Sequence, residues 1–99
     1  MSRYSNQSTA PDEWPAKDPD EVLDYAVEWK DRLAGDTIAS SEWTVPEGLT
    51  EDSALIAGTK AVIWLSGGTL DQTYSITNRV VTTGGRTHDQ TVTLPIRSK

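Results

Sequence analysis

The one histidine, His88, stands beside Asp89, and a His–Asp pair is the orienting half of a nucleophilic triad. Such a triad still needs a nucleophile. The chain has no cysteine, and none of its serines lies in a G-x-S-x-G setting. His88 is therefore expected to be a solvent-facing strand residue. The run "DPDEVLD" crowds Asp18, Asp20, Glu21 and Asp24, hard oxygen donors that calcium favours. It lacks the glycine and spacing of an EF-hand loop, so a solvated acidic turn, with Asp20 as its cap, is the expectation. "SGGTLD" and "TTGGRT" are glycine-rich, but neither lies between a strand and a helix with a lysine following, as a phosphate cradle requires. Carboxylate pairs are numerous enough for glycoside hydrolysis, yet a chain this short has no length to spare for a cleft. No catalytic residue, metal ligand or cofactor site is assigned.

The elements that would carry these residues are short. "TYSITNRVVTT" alternates, with Tyr74, Ile76, Asn78 and Val80 against Ser75, Thr77, Arg79 and Val81. Gly84-Gly85 reads as a hairpin turn, and "RTHDQTVTLPI" returns with Val92, Leu94 and Ile96 on one face. Pro95 suits an edge or a strand end. "TKAVIWLS" is apolar on both faces: Ala61, Ile63 and Leu65 on one, Val62 and Trp64 on the other. That pattern predicts a central strand, or one whose outer face a partner covers. "SALIAG" reads as an edge strand, and Gly67-Gly68 as a pivot where positive φ is cheap. In "DTIASSEWTVP", Trp43 and Val45 share a parity that Ile38 does not, so a bulge is expected near Ser40-Ser41.

"EVLDYAVEWKDRLAG" fits two templates. Period two groups Leu23, Tyr25, Val27 and Trp29, while period 3.6 groups Val22, Tyr25, Ala26, Trp29 and Leu33. Its strand-like neighbours favour a strand over Val22 to Lys30 and a turn through Ala34-Gly35.

Short strands with a turn every eight to twelve residues predict an all-β, immunoglobulin-like antiparallel sandwich. Its expected core is Tyr25, Val27, Trp29, Trp43, Ile63, Leu65, Tyr74, Ile76, Val92 and Leu94. Tyr74 sits where such folds place a corner tyrosine, which hydrogen-bonds back to upstream backbone; an ordinary core tyrosine fits the pattern equally.

Ninety-nine residues make one small domain, burying about 65% of its unfolded surface. The lack of cysteine removes disulfides and cysteine-ligated zinc, and fits a reducing compartment. No apolar run approaches a membrane span, and the N-terminus has no signal-peptide core. The net charge of −6 disfavours nucleic acid. Residues 1–52 hold thirteen acids and four bases, a net of −9; residues 53–99 hold two acids and five bases, a net of +3. That asymmetry suits a module whose two ends meet unlike surfaces, although a solvated acidic surface explains it too.

Pro11, Pro15 and Pro19 interrupt regular structure over the first twenty residues. Residues 1–17 are expected to form an extended N-terminal arm and 18–99 the sandwich. Tyr4 and Trp14 in that arm would dock on a neighbour, with the alternative that Trp14 folds back onto its own domain. Val62 and Trp64 on a sheet face, and the Gly84-Gly85 turn, are the other residues expected to meet partners.

The order of "KDPDEVLDYAVEWKDRLAGDTIASSEWTVPEGLT" and "AVIWLSGGTLDQTYSITNRVVTTGGRTHDQTVTLPI" resembles the phage fibre–tail adaptor family, from about Lys17 to Ile96. The pieces that carry the likeness are Asp18-Pro19, "DYAVEW", Asp36-Thr37-Ile38, "WTVP", "IWLSGG" and "TYSITN" followed by "GGRT". The resemblance implies a non-enzymatic, immunoglobulin-like virion protein of a tailed phage's tail or neck, assembled in the host cytoplasm. Its partners would be copies of itself and other tail proteins (portal, tail tube or fibre), with no nucleic acid, membrane or cofactor. The competing expectation is a carbohydrate- or host-surface-binding sandwich that uses Trp43 or Trp64 as a stacking platform.

Overall fold

A computed structural model describes residues 12–99. The elements are β1 (Asp12–Glu13), β2 (Leu23–Glu28), the single helical turn α1 (Lys30–Leu33), β3 (Ile38–Thr44), β4 (Leu49–Ala57), β5 (Lys60–Gly67), β6 (Thr73–Thr82) and β7 (Thr87–Pro95). They form two sheets, one ordered β1-β7-β6-β3 and the other β2-β5-β4. All pairings between strands are antiparallel except β1 with β7. This is an immunoglobulin-like sandwich: β2, β5 and β4 make one layer, β3, β6 and β7 the other, and β1 extends the second along β7.

Alternation puts the core where the sequence pattern requires it. Ile63 and Leu65 face Ile76, Val80, Val92 and Leu94 across the layers, all essentially inaccessible. Trp43 and Tyr74 are only partly buried at the margin of this core. The strand expected over Val22 to Lys30 is shorter, ending at Glu28 where a helical turn takes over, and Val22 and Ala26 of the helical grouping stay exposed. Tyr25, Val27 and Trp29 point inward with period two, then one helical turn lays Leu33 four residues beyond Trp29 in the same core. Ala34 and Gly35, both at positive φ, end the turn. The register of β3 against β6 slips between Ile38 and Ser40, the bulge that the parity change demanded.

The expected arm needs correcting. From Asp12 onward it belongs to the sandwich. Asp12 and Glu13 pair with Val92 and Thr93, and the Trp14 N–H donates to the Thr93 carbonyl at 2.9 Å. Further along, the Lys17 N–H donates to Pro95 O and the Arg97 N–H to Lys17 O. Proline does not prevent this, because Pro15 falls between the residues that bond to β7. Trp14 stacks on Tyr25 at 4.7 Å between centroids and donates its indole N–H to the Ala26 carbonyl. It is a core residue that stitches the two sheets along the β1–β2 side. Tyr4 and the rest of 1–11 lie outside the described residues.

Three polar residues buttress this frame. Asn78 is buried on the inward parity of β6; it accepts from the Trp29 indole at 2.9 Å and donates to Ser41 Oγ and the Glu42 carbonyl. The Trp29–Asn78 bond spans the layers. Lys17 is fully buried, its ammonium donating to the carbonyls of Gly67 and Asp18. Burial pulls its pKa below the ordinary lysine value, against the upward pull of Glu21, Asp18 and Asp20. The Tyr74 hydroxyl accepts from the Thr69 N–H at 3.0 Å, five residues upstream, so Tyr74 does hold a corner. Gly48 makes room for it: a Cβ there would lie 2.8 Å from the Tyr74 oxygen.

Candidate partner-docking surface

The outer faces of the two sheets differ in kind. On the four-stranded sheet the outward residues satisfy one another. Thr77 and Thr91 share a hydroxyl hydrogen bond at 3.0 Å, and Arg79 holds Asp89 with two, at 2.8 and 3.0 Å. His88 and Asp89 do not pair, because neighbours on a strand point to opposite faces. His88 lies opposite Val80, half-buried on the inner side and 6.0 Å from the Trp29 ring; its Nε2 is shielded and has no partner. The expectation of a solvent-facing histidine is therefore corrected. Its parity is that of Val92 and Leu94, so the alternation itself places it inward.

The three-stranded sheet presents one apolar row with a tryptophan beside it instead. Register sets Ala26, Val62 and Leu55 side by side across β2, β5 and β4, and Asp24, Trp64 and Ser53 in the next row. Glu28, Lys60 and Ala57 make the third. Trp64 is 38% exposed and Leu55 52%. Glu28 is already engaged by the Thr59 hydroxyl at 2.6 Å, which holds its carboxyl below the usual carboxylate range. Isolated exposed apolar residues are ordinary, but a contiguous row across three strands, edged by charge, has the makeup of a protein-contact face. Val62 and Trp64 are thus brought together as expected. Leu55 joins them through cross-strand register, which no local pattern of "SALIAG" reveals.

The Gly84-Gly85 turn stands at the far end of the four-stranded sheet. Asp36 binds it down from the start of β3, accepting from Thr83 Oγ1 (2.8 Å), the Gly84 N–H (3.3 Å), the Thr37 N–H (2.8 Å) and Arg86 Nη1 (3.2 Å). The hydroxyls of Thr82 and Thr83, with these N–H groups, hold the Asp36 carboxyl far below its ordinary pKa. A Cβ at Gly84 would sit 2.8 Å from the carboxylate, so this glycine is needed for that close approach. In the acidic run, Asp18 rather than Asp20 is the cap, accepting from the Asp20 N–H, while Glu21 accepts from the Asp18 N–H. Among the described residues no three or more His, Asp or Glu side chains are grouped to hold a metal ion. No helix of the described residues is long and apolar enough to cross a membrane.

Among the described residues, clefts open at two sides of the sandwich. One of about 280 Å³, beside β1 and β2, is walled by Trp14, Trp29, Arg32 and Gln90. The other, of about 180 Å³, lies along the β3–β4 side and is lined by Ser41, Ala54, Leu55 and Ile56.

Among solved structures, the chain is similar to the solution structure of the PKD domain from the KIAA 1837 protein, at 15% identity and a TM-score of 0.49 over 96% of this chain and 94% of that one. No curated protein matches it. A family model described as podophage GP4 fiber-tail adaptor protein gp77 matches residues 17–95. That match runs from the buried lysine to the last residue of β7, and with it the chain belongs to the podophage fiber-tail adaptor family.

Proposed function

We propose that this protein is a non-enzymatic structural adaptor of the virion, joining tail or neck components to fibres or to neighbouring rings, and present in several copies. It would be assembled in the host cytoplasm. The observation that carries the reading is the apolar row of Ala26, Val62 and Leu55 with Trp64 beside it, on a sheet whose opposite layer is polar and self-satisfied. A large ring at the centre of such a face is the usual anchor of a protein interface. Family membership supplies the setting, a phage tail in which an adaptor meets other proteins.

The sugar-platform alternative has less support. Trp43 packs against the core, which leaves Trp64. Asp24 and Ser53 flank it, but the adjoining row of Ala26, Val62 and Leu55 is aliphatic and Trp64 lines neither cleft described above, where a sugar site needs converging polar groups in a concave setting. Trp64→Ser is the discriminating variant. It should fold, because the ring lies outside the core, and it should enter particles poorly in an assembly assay that compares virion-bound with free protein. Ser75→Ala, on the other sheet, should enter normally. Normal incorporation of folded Trp64→Ser would remove this face from the interface, and loss of glycan binding instead of incorporation would favour the sugar reading.

A further inference from the structure

The exposed tryptophan of the three-stranded sheet has carboxylates for neighbours. Asp24 of β2 is the cross-strand partner of Trp64 on the outer face, and it is exposed. Asp52 reaches the same face from β4. It accepts at 3.2 Å from the hydroxyl of Ser66, the next outward residue of β5 after Trp64. Among the described residues neither aspartate takes part in an ion pair. Glu28, at the other end of β2, is taken up by the Thr59 hydroxyl and lies opposite Lys60. The ring therefore stands on a face with three acids, Asp24, Glu28 and Asp52, against the one base Lys60.

An aromatic ring attracts a cation over its face, and a carboxylate beside it adds a charge-assisted hydrogen bond. Arginine meets both demands at once. Its planar guanidinium stacks on the ring and still offers N–H groups to the carboxylate, whereas a lysine ammonium is a point charge. We infer that Trp64 and Asp24 receive an arginine of a different protein, with Asp52 drawing further basic residues to the rim. The inference rests on reading this face as the adaptor's interface, and it specifies the partner: an apolar surface that carries arginine.

A second copy is the poorer source. Among the described residues every arginine is already engaged within its own chain. Arg79 is held by Asp89 with two hydrogen bonds, Arg86 by Asp36, and Arg97 by the Ile96 carbonyl. Arg32 lies over the Trp29 ring, 4.7 Å from its centroid, and donates to Gln90. The other sheet of a copy presents no basic face either, because Glu42 and Asp89 are the cross-strand neighbours of Arg79 on its two sides. Two copies meeting through their three-stranded sheets would bring acid against acid.

The test uses purified full-length protein and tail particles that lack it. Incorporation of the wild-type chain should fall severalfold as sodium chloride is raised, because part of the contact is between charges. Asp24→Asn should lower incorporation severalfold at low salt, and Asp24→Lys should lower it further. Glu42→Gln, on the other sheet, should enter as the wild type does. Treating the particles with phenylglyoxal, which blocks arginine, should prevent incorporation, and acetylating their lysines should not. Incorporation indifferent to Asp24 and to salt would overturn the inference, and so would a block by lysine acetylation alone. Self-association of the full chain in sedimentation, abolished by Asp24→Asn, would also overturn it by placing the cation on a copy. The interface reading is judged separately. Poor entry of Trp64→Ser beside normal entry of Asp24→Asn sinks the arginine and leaves the face, whereas normal entry of Trp64→Ser removes the face itself.

Discussion

Asn78 ties β6 to β3 and to Trp29 at the start of α1 through one side chain, and its removal isolates that role. Asn78→Ala would leave the Trp29 indole N–H and the Glu42 carbonyl without partners inside the sandwich. Each orphaned buried group costs about 1–3 kcal/mol, so the loss should be roughly 2–4 kcal/mol in urea unfolding. Tyr74→Phe provides the contrast: it loses one hydrogen bond at the exposed corner, about 1 kcal/mol, and keeps the ring over Gly48. Equal effects would mean that the layer-spanning bond contributes little. Asn78 was not singled out in the sequence, although its parity with Ile76 and Val80 placed it inward. Alternation identifies a polar residue in the core but not its partners, which come from the start of α1 and from β3. Lys17 was further from view. Nothing local marks a lysine beside Asp18 as buried, because its acceptor, Gly67, lies fifty residues away.

The strands and most of their faces followed from alternation and glycine turns, since a period of two is a local property, whereas their order in the two sheets did not. What depended on register did not. The apolar row across β2, β5 and β4 needed three strands aligned, and β1 needed the knowledge that β7 lay beside it. The Asp36 clamp on the β6–β7 turn is likewise a contact between distant segments, with a measurable pH signature. Its carboxyl is depressed in the folded protein, so the stability it lends is present in full above the unfolded value, near pH ~4. That stability is lost as pH falls from there toward the lower folded pKa. Asp36→Asn should therefore flatten the acid limb of the stability curve below about pH 4 and lower stability at neutral pH. An unchanged acid limb would mean that other carboxylates govern acid unfolding.

The corrected arm changes what truncation should do. A chain starting at Asp12 keeps β1, Trp14 and Lys17 and should unfold at nearly the same urea concentration as the full chain. One starting at Asp18 loses the Trp14–Tyr25 stack, the indole bond to Ala26 and the buried ammonium. Removing a buried tryptophan alone costs about 3–5 kcal/mol, a large share of a small domain's stability, so this chain should be unfolded or nearly so. Equal stability of the two chains would mean that residues 12–17 are dispensable. The parallel pairing of β1 with β7 also has a mechanical meaning. Two adjacent strands running the same way give their shared seam two exits at opposite ends, the start of β1 at Asp12 and the end of β7 near Ile96. Tension between those exits pulls along the strands, not across them. The backbone bonds at Trp14, Lys17 and Arg97 then bear the load together in shear, where a hairpin pulled from its open end would surrender its bonds one at a time. The β1–β7 seam is therefore the part of the fold best built to resist a pull along this axis.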